Sequence, residues 1–226
     1  SFLVGRCGET QMAAHNVAIN FLHVAFMPAV GLNHAIAPIV GQYIGREDIP
    51  KAKARTYTAI KMAIAYMTFA GACFAIFAKP LTRLFFSTDP QVVELAAGLL
   101  ILAALFQAFD AVNIVVLGAL RGAGDTRWVM WAMLIAAYGL FLPTATFLCA
   151  EEVALSWIPG VPEAWDIPAL GWQAKGAWLG ATAYIVALSG VLFWRFRGER
   201  WRDIKIFERD RLKPVEEAPL EATRAS

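Results

Sequence analysis

Five apolar blocks separated by short charged segments limit what this chain can fold into. They cover residues 12–44, 56–78, 90–120, 128–150 and 176–194. Each is long enough to cross the hydrocarbon layer of a bilayer, for which roughly 20 helical residues suffice at about 1.5 Å per residue. That layer offers no water to backbone N–H and C=O groups, so each block must satisfy them internally, as a helix does. Composition agrees: charged residues are 17% of the 226, where a soluble domain carries about a quarter. The expected fold class is therefore an all-α polytopic membrane protein, a helical bundle. Phe2-Leu3-Val4-Gly5 reads as the last turn of a further helix, which gives five complete transmembrane helices plus the end of a sixth. No basic segment or small-residue cleavage site precedes the first block, so no signal peptide is read. Residues 1–205 are expected to form one transmembrane unit truncated at its first helix. Residues 206–226, rich in charge, Pro and Ala and poor in aromatics, are expected to be a disordered cytoplasmic tail.

The basic residues fix an orientation. Arg46, Lys51, Lys53 and Arg55 follow the first block, Arg121 and Arg127 follow the third, and nine Lys and Arg follow the fifth. The alternate connections hold only Arg6, Lys79, Arg83 and Lys175. This alternation fits five spans under the positive-inside rule and predicts a multi-pass inner (plasma) membrane protein with a cytoplasmic C-terminus. The tryptophans are expected to form interfacial belts, Trp128, Trp131, Trp194 and Trp201 inside and Trp157, Trp165, Trp172 and Trp178 outside. Glu151–Lys175, net acidic with Pro159, Pro162 and Pro168, is expected to be an interfacial loop that could include a short surface helix.

Several motifs have a structural explanation. Gly41/Gly45, Gly118/Gly122 and Gly176/Gly180 follow the small-xxx-small pattern, which lets helix backbones approach closely. Asp89-Pro90 is a capping residue followed by a first-turn proline, with a substrate contact at the outer mouth as the alternative. Arg121–Thr126 is glycine-rich but lacks the Lys-Ser/Thr ending of a phosphate loop. It reads as a tight turn with Asp125 or Thr126 capping the next helix. Cys7, Cys73 and Cys149 are too far apart for a metal or disulfide framework. The first block, with Pro28 and Pro38, is expected to bend.

Two features point to chemistry. Asp110 lies in the third block after a stretch, 95–109, that carries no charge. A carboxylate at that depth costs about 3 kcal/mol on insertion scales, so it needs a task or a buried partner. Phe106, Gln107 and Asn113 stand at helical spacing from it, which predicts one shared side. Burial favours the neutral form of a carboxyl and a bound cation favours the charged form, and this opposition is a basis for ion or proton coupling. A carboxylate hydrogen-bonded to a neighbouring helix is the structural alternative. On the first block, Asn16, Asn20, His23, Met27, Gly31 and His34 recur at helical spacing and give a polar face. That face reads equally as a cavity lining or as a set of interhelical hydrogen bonds.

The segments Ala13-Ala-His-Asn-Val-Ala-Ile19, Met27-Pro-Ala-Val-Gly-Leu32 and Val40-Gly-Gln-Tyr-Ile-Gly45 resemble the multidrug and toxic compound extrusion (MATE) family. Leu84–Val92, Asp110-Ala-Val-Asn113, Gly118–Thr126, Leu142-Pro143 and Gly176–Gly180 continue the resemblance in order over roughly residues 3–205. The resemblance implies two six-helix lobes facing a cleft, with this chain as the C-terminal lobe from the end of helix seven onward. It further implies a cation-coupled antiporter, driven by Na+ or H+, that exports organic, often cationic, drugs or toxic metabolites by alternating access. By that resemblance Asp110 is the helix-ten acid of the cation site, with Phe106 and Asn113 beside it. Phe106 stands where some members have tyrosine. Asn16, Asn20, His23, His34 and Gln107 are assigned to the substrate cleft. No cofactor is expected, and no metal other than Na+ at Asp110. The implied partners are small organic substrates, the lipid bilayer and the missing N-terminal lobe, with no nucleic acid. A flippase of lipid-linked saccharides in the same superfamily and a non-transporting fragment are the alternatives. The absence of central Arg or Lys in the spans argues against the flippase. A membrane enzyme is not expected, because no nucleophile elbow or Asp-rich metal motif is present.

Overall fold

The computed structural model describes residues 9–85, 89–149, 152–153, 167–168, 172–198 and 201. Five helices carry the described fold: α1 Glu9–Gly45, α2 Ile49–Phe85, α3 Pro90–Gly122, α4 Thr126–Cys149 and α5 Gln173–Arg197. Each is long and apolar enough to cross a membrane. Between α4 and α5, Glu152–Val153 (β1) and Ile167–Pro168 (β2) form a two-residue antiparallel pair. The expectations for residues 1–8, for a surface helix within 154–166 and for the tail 206–226 lie outside the described residues.

The helices extend beyond their apolar blocks. α2 begins at Ile49, well before the expected residue 56, because Lys51, Lys53 and Arg55 continue the helix into the polar region. Asp48 precedes it. Its carboxylate accepts from the Lys51 backbone N–H at 3.2 Å and pairs with Lys51 Nζ at 2.7 Å. The hydrogen bond from Lys51 holds the Asp48 carboxyl below its ordinary range. α3 starts as its sequence predicts: Asp89 accepts from the Gln91 N–H at 2.9 Å and Pro90 fills the first turn, where a missing N–H costs nothing.

Prolines shape two helices differently. α1 runs through Pro28 and Pro38 as one helix. α2 breaks at Phe77 (φ −104°, ψ 16°), three residues before Pro80, whose ring lacks an N–H and crowds the preceding turn. α4 consists of Thr126–Ala136, a π-turn over Ala137–Phe141 and Leu142–Cys149. The Leu142 N–H reaches back to the Ala137 carbonyl just before Pro143, and the Thr144 hydroxyl donates to the Leu140 carbonyl at 2.6 Å. Such π-turns are frequent at functional sites.

α3 is the central element and packs against α1, α2 and α5. Its length joins two apolar clusters: one around Phe21, Leu100, Phe106 and Trp178, the other around Met67, Val115, Leu120 and Phe196. Adjacent helices alternate in direction. At one end Gln11 donates to Gln173 (2.7 Å), Lys79 pairs with Glu94 (3.2 Å), and the Trp172 N–H donates to the Leu148 carbonyl (2.9 Å). At the other end the α3–α4 turn meets the end of α5.

That second end corrects one expectation. Asp125 occupies the N-cap position of α4 but makes no capping bond. Its buried carboxylate instead accepts from Arg195 Nε at 2.8 Å, and the guanidinium lies 5.0 Å over the Trp128 ring. Two of the tryptophans assigned to the belts are packed inside the protein. Trp201 is buried, stacked on Phe196 and donating to its carbonyl at 2.8 Å. Trp178 is buried inside the bundle. Trp157 and Trp165 lie outside the described residues. Cys149 is buried and Cys73 half-buried.

The glycine motifs serve packing. A Cβ on Gly122 would run into the Ala37 carbonyl of α1, and one on Gly176 into the Leu148 carbonyl of α4. Backbone contact of this kind replaces the hydrophobic drive that is missing between helices in lipid. Gly176→Leu is expected to destabilise the α4–α5 contact by about 1–3 kcal/mol. Thermal unfolding of the purified protein checks this, and an unchanged midpoint would refute the close-approach role.

Candidate cation and substrate site

α1, α3, α4 and α5 line an open cavity of about 810 Å³, within the size range of small-molecule sites. The wall is mostly apolar and aromatic. Phe106 comes from α3, Phe141 from the π-turn of α4, and Trp178 and Tyr184 from α5. Their rings are coupled: Phe106 lies 6.3 Å from Trp178 and Phe141 5.8 Å from Tyr184, centroid to centroid. Offset and edge contacts at these separations fix ring positions.

Asp110 lies in this wall and is the only carboxylate among the lining residues. Asn113, one turn further along α3, also lines the cavity. Phe106 stands one turn before it. The three residues assigned to the cation site thus share one space, open enough to leave Asp110 only half-buried. Among the described residues no cluster of three or more His, Cys, Asp or Glu has metal-binding geometry. A carboxylate with a neighbouring amide oxygen offers oxygen donors suited to a hard monovalent cation or, by the carboxylate alone, to a proton.

Gln107 does not join them. Its side chain is fully buried toward α2, where a Cβ on Gly71 would meet Gln107 Oε1 at 3.3 Å. Neither of its amide atoms has a hydrogen-bond partner among the described residues. The i−3 spacing from Asp110 places it across the helix face far enough to turn away from the cavity. Asn16, Asn20, His23 and His34 do not line the cavity either. They lie exposed on an outer face of α1. Asn33, on the same helix, is buried and donates to the Ile114 carbonyl of α3.

The α1 residues that do line the cavity are His15, Ile19, Leu22 and Phe26. This face is displaced from Asn16, Asn20, His23 and Met27 by one residue, a rotation of about 100°. Sequence reasoning passed over it because three of its four members are apolar. It also passed over Trp178 and Tyr184, which approach from α5, far away in the chain. The one local signal was His15 itself, a polar residue at the head of an otherwise apolar stripe.

Five helices long and apolar enough to cross a membrane, four of them lining a ligand-sized cavity with one acid in an aromatic wall, define a polytopic membrane protein. A model of the family described as MatE matches residues 1–147, and the chain belongs to that multidrug and toxic compound extrusion family. It is 31% identical over 197 residues to "Multidrug resistance protein NorM" of Burkholderia vietnamiensis, covering 85% of this chain and 39% of that protein. It is 30% identical over 195 residues to "Multidrug resistance protein MdtK" of Photorhabdus laumondii subsp. laumondii, covering 86% and 39%. "Probable multidrug resistance protein NorM" of Brucella suis biovar 1 is 33% identical over 200 residues, covering 85% and 38%. The chain spans about two fifths of the length of these curated relatives.

Proposed function

We propose that this chain is the C-terminal lobe of a cation-coupled antiporter that exports organic, predominantly cationic, compounds across the inner membrane by alternating access. The observation that carries the reading is Asp110 in the wall of an aromatic cavity within the membrane-spanning bundle. A carboxylate there attracts a cation or proton, and the aromatic rings offer area and quadrupole attraction to a lipophilic cation. Occupancy of Asp110 by the coupling ion neutralises the wall and favours release of a cationic substrate. Asn113 offers an amide beside the carboxylate, and Phe106 covers the preceding turn of α3. The exposed polar face of α1, with Asn16, Asn20, His23 and His34, is proposed to face the cleft against an N-terminal six-helix lobe. The two lobes rock about the fixed site. The cavity wall holds no Arg or Lys, which disfavours an anionic, lipid-linked saccharide as cargo. The Lys and Arg bias supports a cytoplasmic C-terminus.

The test is ethidium efflux from proteoliposomes containing the full-length protein, with inward Na+ and H+ gradients imposed separately. One of the two gradients accelerates efflux, and collapsing it returns the rate to the passive leak. Efflux indifferent to both gradients would end the coupling proposal.

A further inference from the structure

His15 and Trp178 form a buried link between α1 and α5 at the same cavity. Trp178 Nε1 donates to His15 Nδ1 at 3.0 Å, and the rings meet edge to face at 5.9 Å and 85°. An indole N–H only donates, so the nitrogen that receives it has no proton. His15 is therefore neutral, with its proton on Nε2. Nε2 is buried and has no hydrogen-bond partner among the described residues, which leaves the Trp178 bond as the hydrogen bond that orients the imidazole.

We propose that His15 is a proton-sensitive positioning residue: neutral, it fixes the Trp178 indole as a wall of the Asp110 cavity, and protonated, it releases it. This deepens the proposed function and rests on it for the identity of the cavity as the substrate site. Protonation turns both imidazole nitrogens into donors, so Nδ1–H would face the indole N–H and the bond must break. Trp178 packs on Phe106, one turn before Asp110, so freeing the indole alters the wall next to the acid.

Titratable and charged groups stand on the elements that share this end of the bundle with His15. α3 contributes Asp110 to the shared cavity, and α5 contributes Tyr184. Lys175 lies one turn before Trp178 on α5, and Glu9 precedes His15 on α1. At the same end, Lys79 of α2 is paired with Glu94 of α3 at 3.2 Å. α4 adds no titratable group to the cavity wall. Histidine is the side chain whose charge ordinarily changes between about pH 5 and 8, so a proton entering the cavity meets two receptors, His15 and Asp110.

The experiment follows the indole Nε1–H resonance of Trp178 in the full-length protein labelled at tryptophan, assigned by its loss in Trp178→Phe. In the unmodified protein the resonance moves from a hydrogen-bonded to a free position as pH falls from about 8 to about 4, through and past the ordinary histidine range. In His15→Gln, whose amide oxygen accepts at any pH, it stays at the bonded position. In His15→Phe it sits at the free position throughout. Ethidium affinity, measured alongside, weakens over that range by about fivefold more in the unmodified protein than in His15→Gln, one hydrogen bond's worth. A resonance that does not move in the unmodified protein, or moves equally in His15→Gln, overturns the proposal, as does equal pH dependence of ethidium affinity. The resonance should move in Asp110→Asn as well; its loss there would assign the titration to Asp110 and overturn the role of His15. Gradient-independent efflux with the movement intact would instead refute the coupling and leave the His15 link standing.

Discussion

Asp110→Asn is expected to abolish the drug resistance that the proposed function gives the full-length protein, while its level in the membrane stays unchanged. The substitution keeps shape, volume and hydrogen-bonding capacity, and removes the charge and the carboxyl's exchangeable proton. The half-buried Asp110 side chain lines a cavity rather than completing a core contact, so its structural share is small. Desolvating a lone carboxylate in a membrane span costs about 3 kcal/mol. Replacing it with a neutral amide should therefore leave stability equal or slightly higher. Under the proposed function the receptor for the coupling ion is lost, and the expected effect is a fall of gradient-driven efflux to the passive leak. Resistance to a cationic dye and membrane immunoblotting of the same cells give the two readouts. Wild-type resistance in Asp110→Asn would remove the acid from the mechanism.

Arg195→Ala produces the largest expected loss of stability. Asp125 and the guanidinium of Arg195 meet at 2.8 Å, both largely withdrawn from solvent. Removing the cation leaves a buried carboxylate without its partner, which costs about 3–5 kcal/mol. At a few degrees per kcal/mol this lowers the unfolding midpoint of the purified protein on the order of 10 °C. The cation–π contact with Trp128 disappears at the same time. Because the penalty comes from the stranded charge, Asp125→Leu combined with Arg195→Met should regain most of the loss. A double variant as unstable as Arg195→Ala would show that packing around the pair, rather than charge compensation, holds this end together.

These two sites were legible to different degrees. Asp110, Phe106 and Asn113 are neighbours on one helix, and helical spacing alone brings them to one side. Gln107 has similar spacing, yet it faces Gly71 on α2, because the boundary between cavity and core falls within a single helix turn. Asp125 followed a capping pattern in its local sequence, but an arginine seventy positions away in the chain claims its carboxylate. Capping and ion pairing compete for the same oxygens, and only the approach of α5 decides between them.

The chain's own sequence determined the number of helices, their alternation and their close contacts. Apolar length, backbone self-satisfaction in lipid and small-residue spacing are local properties. Helix ends were less legible, as α2 shows, because charged residues end a span without ending a helix. The tertiary structure alone decided which face of α1 lines the cavity, since a one-residue offset turns the stripe by about 100°. It alone joined His15 to Trp178 across 163 positions and set Trp178 and Tyr184 beside Asp110. Hydropathy specifies that a segment crosses the bilayer, but the rotation of each helix about its axis is fixed by how its neighbours pack.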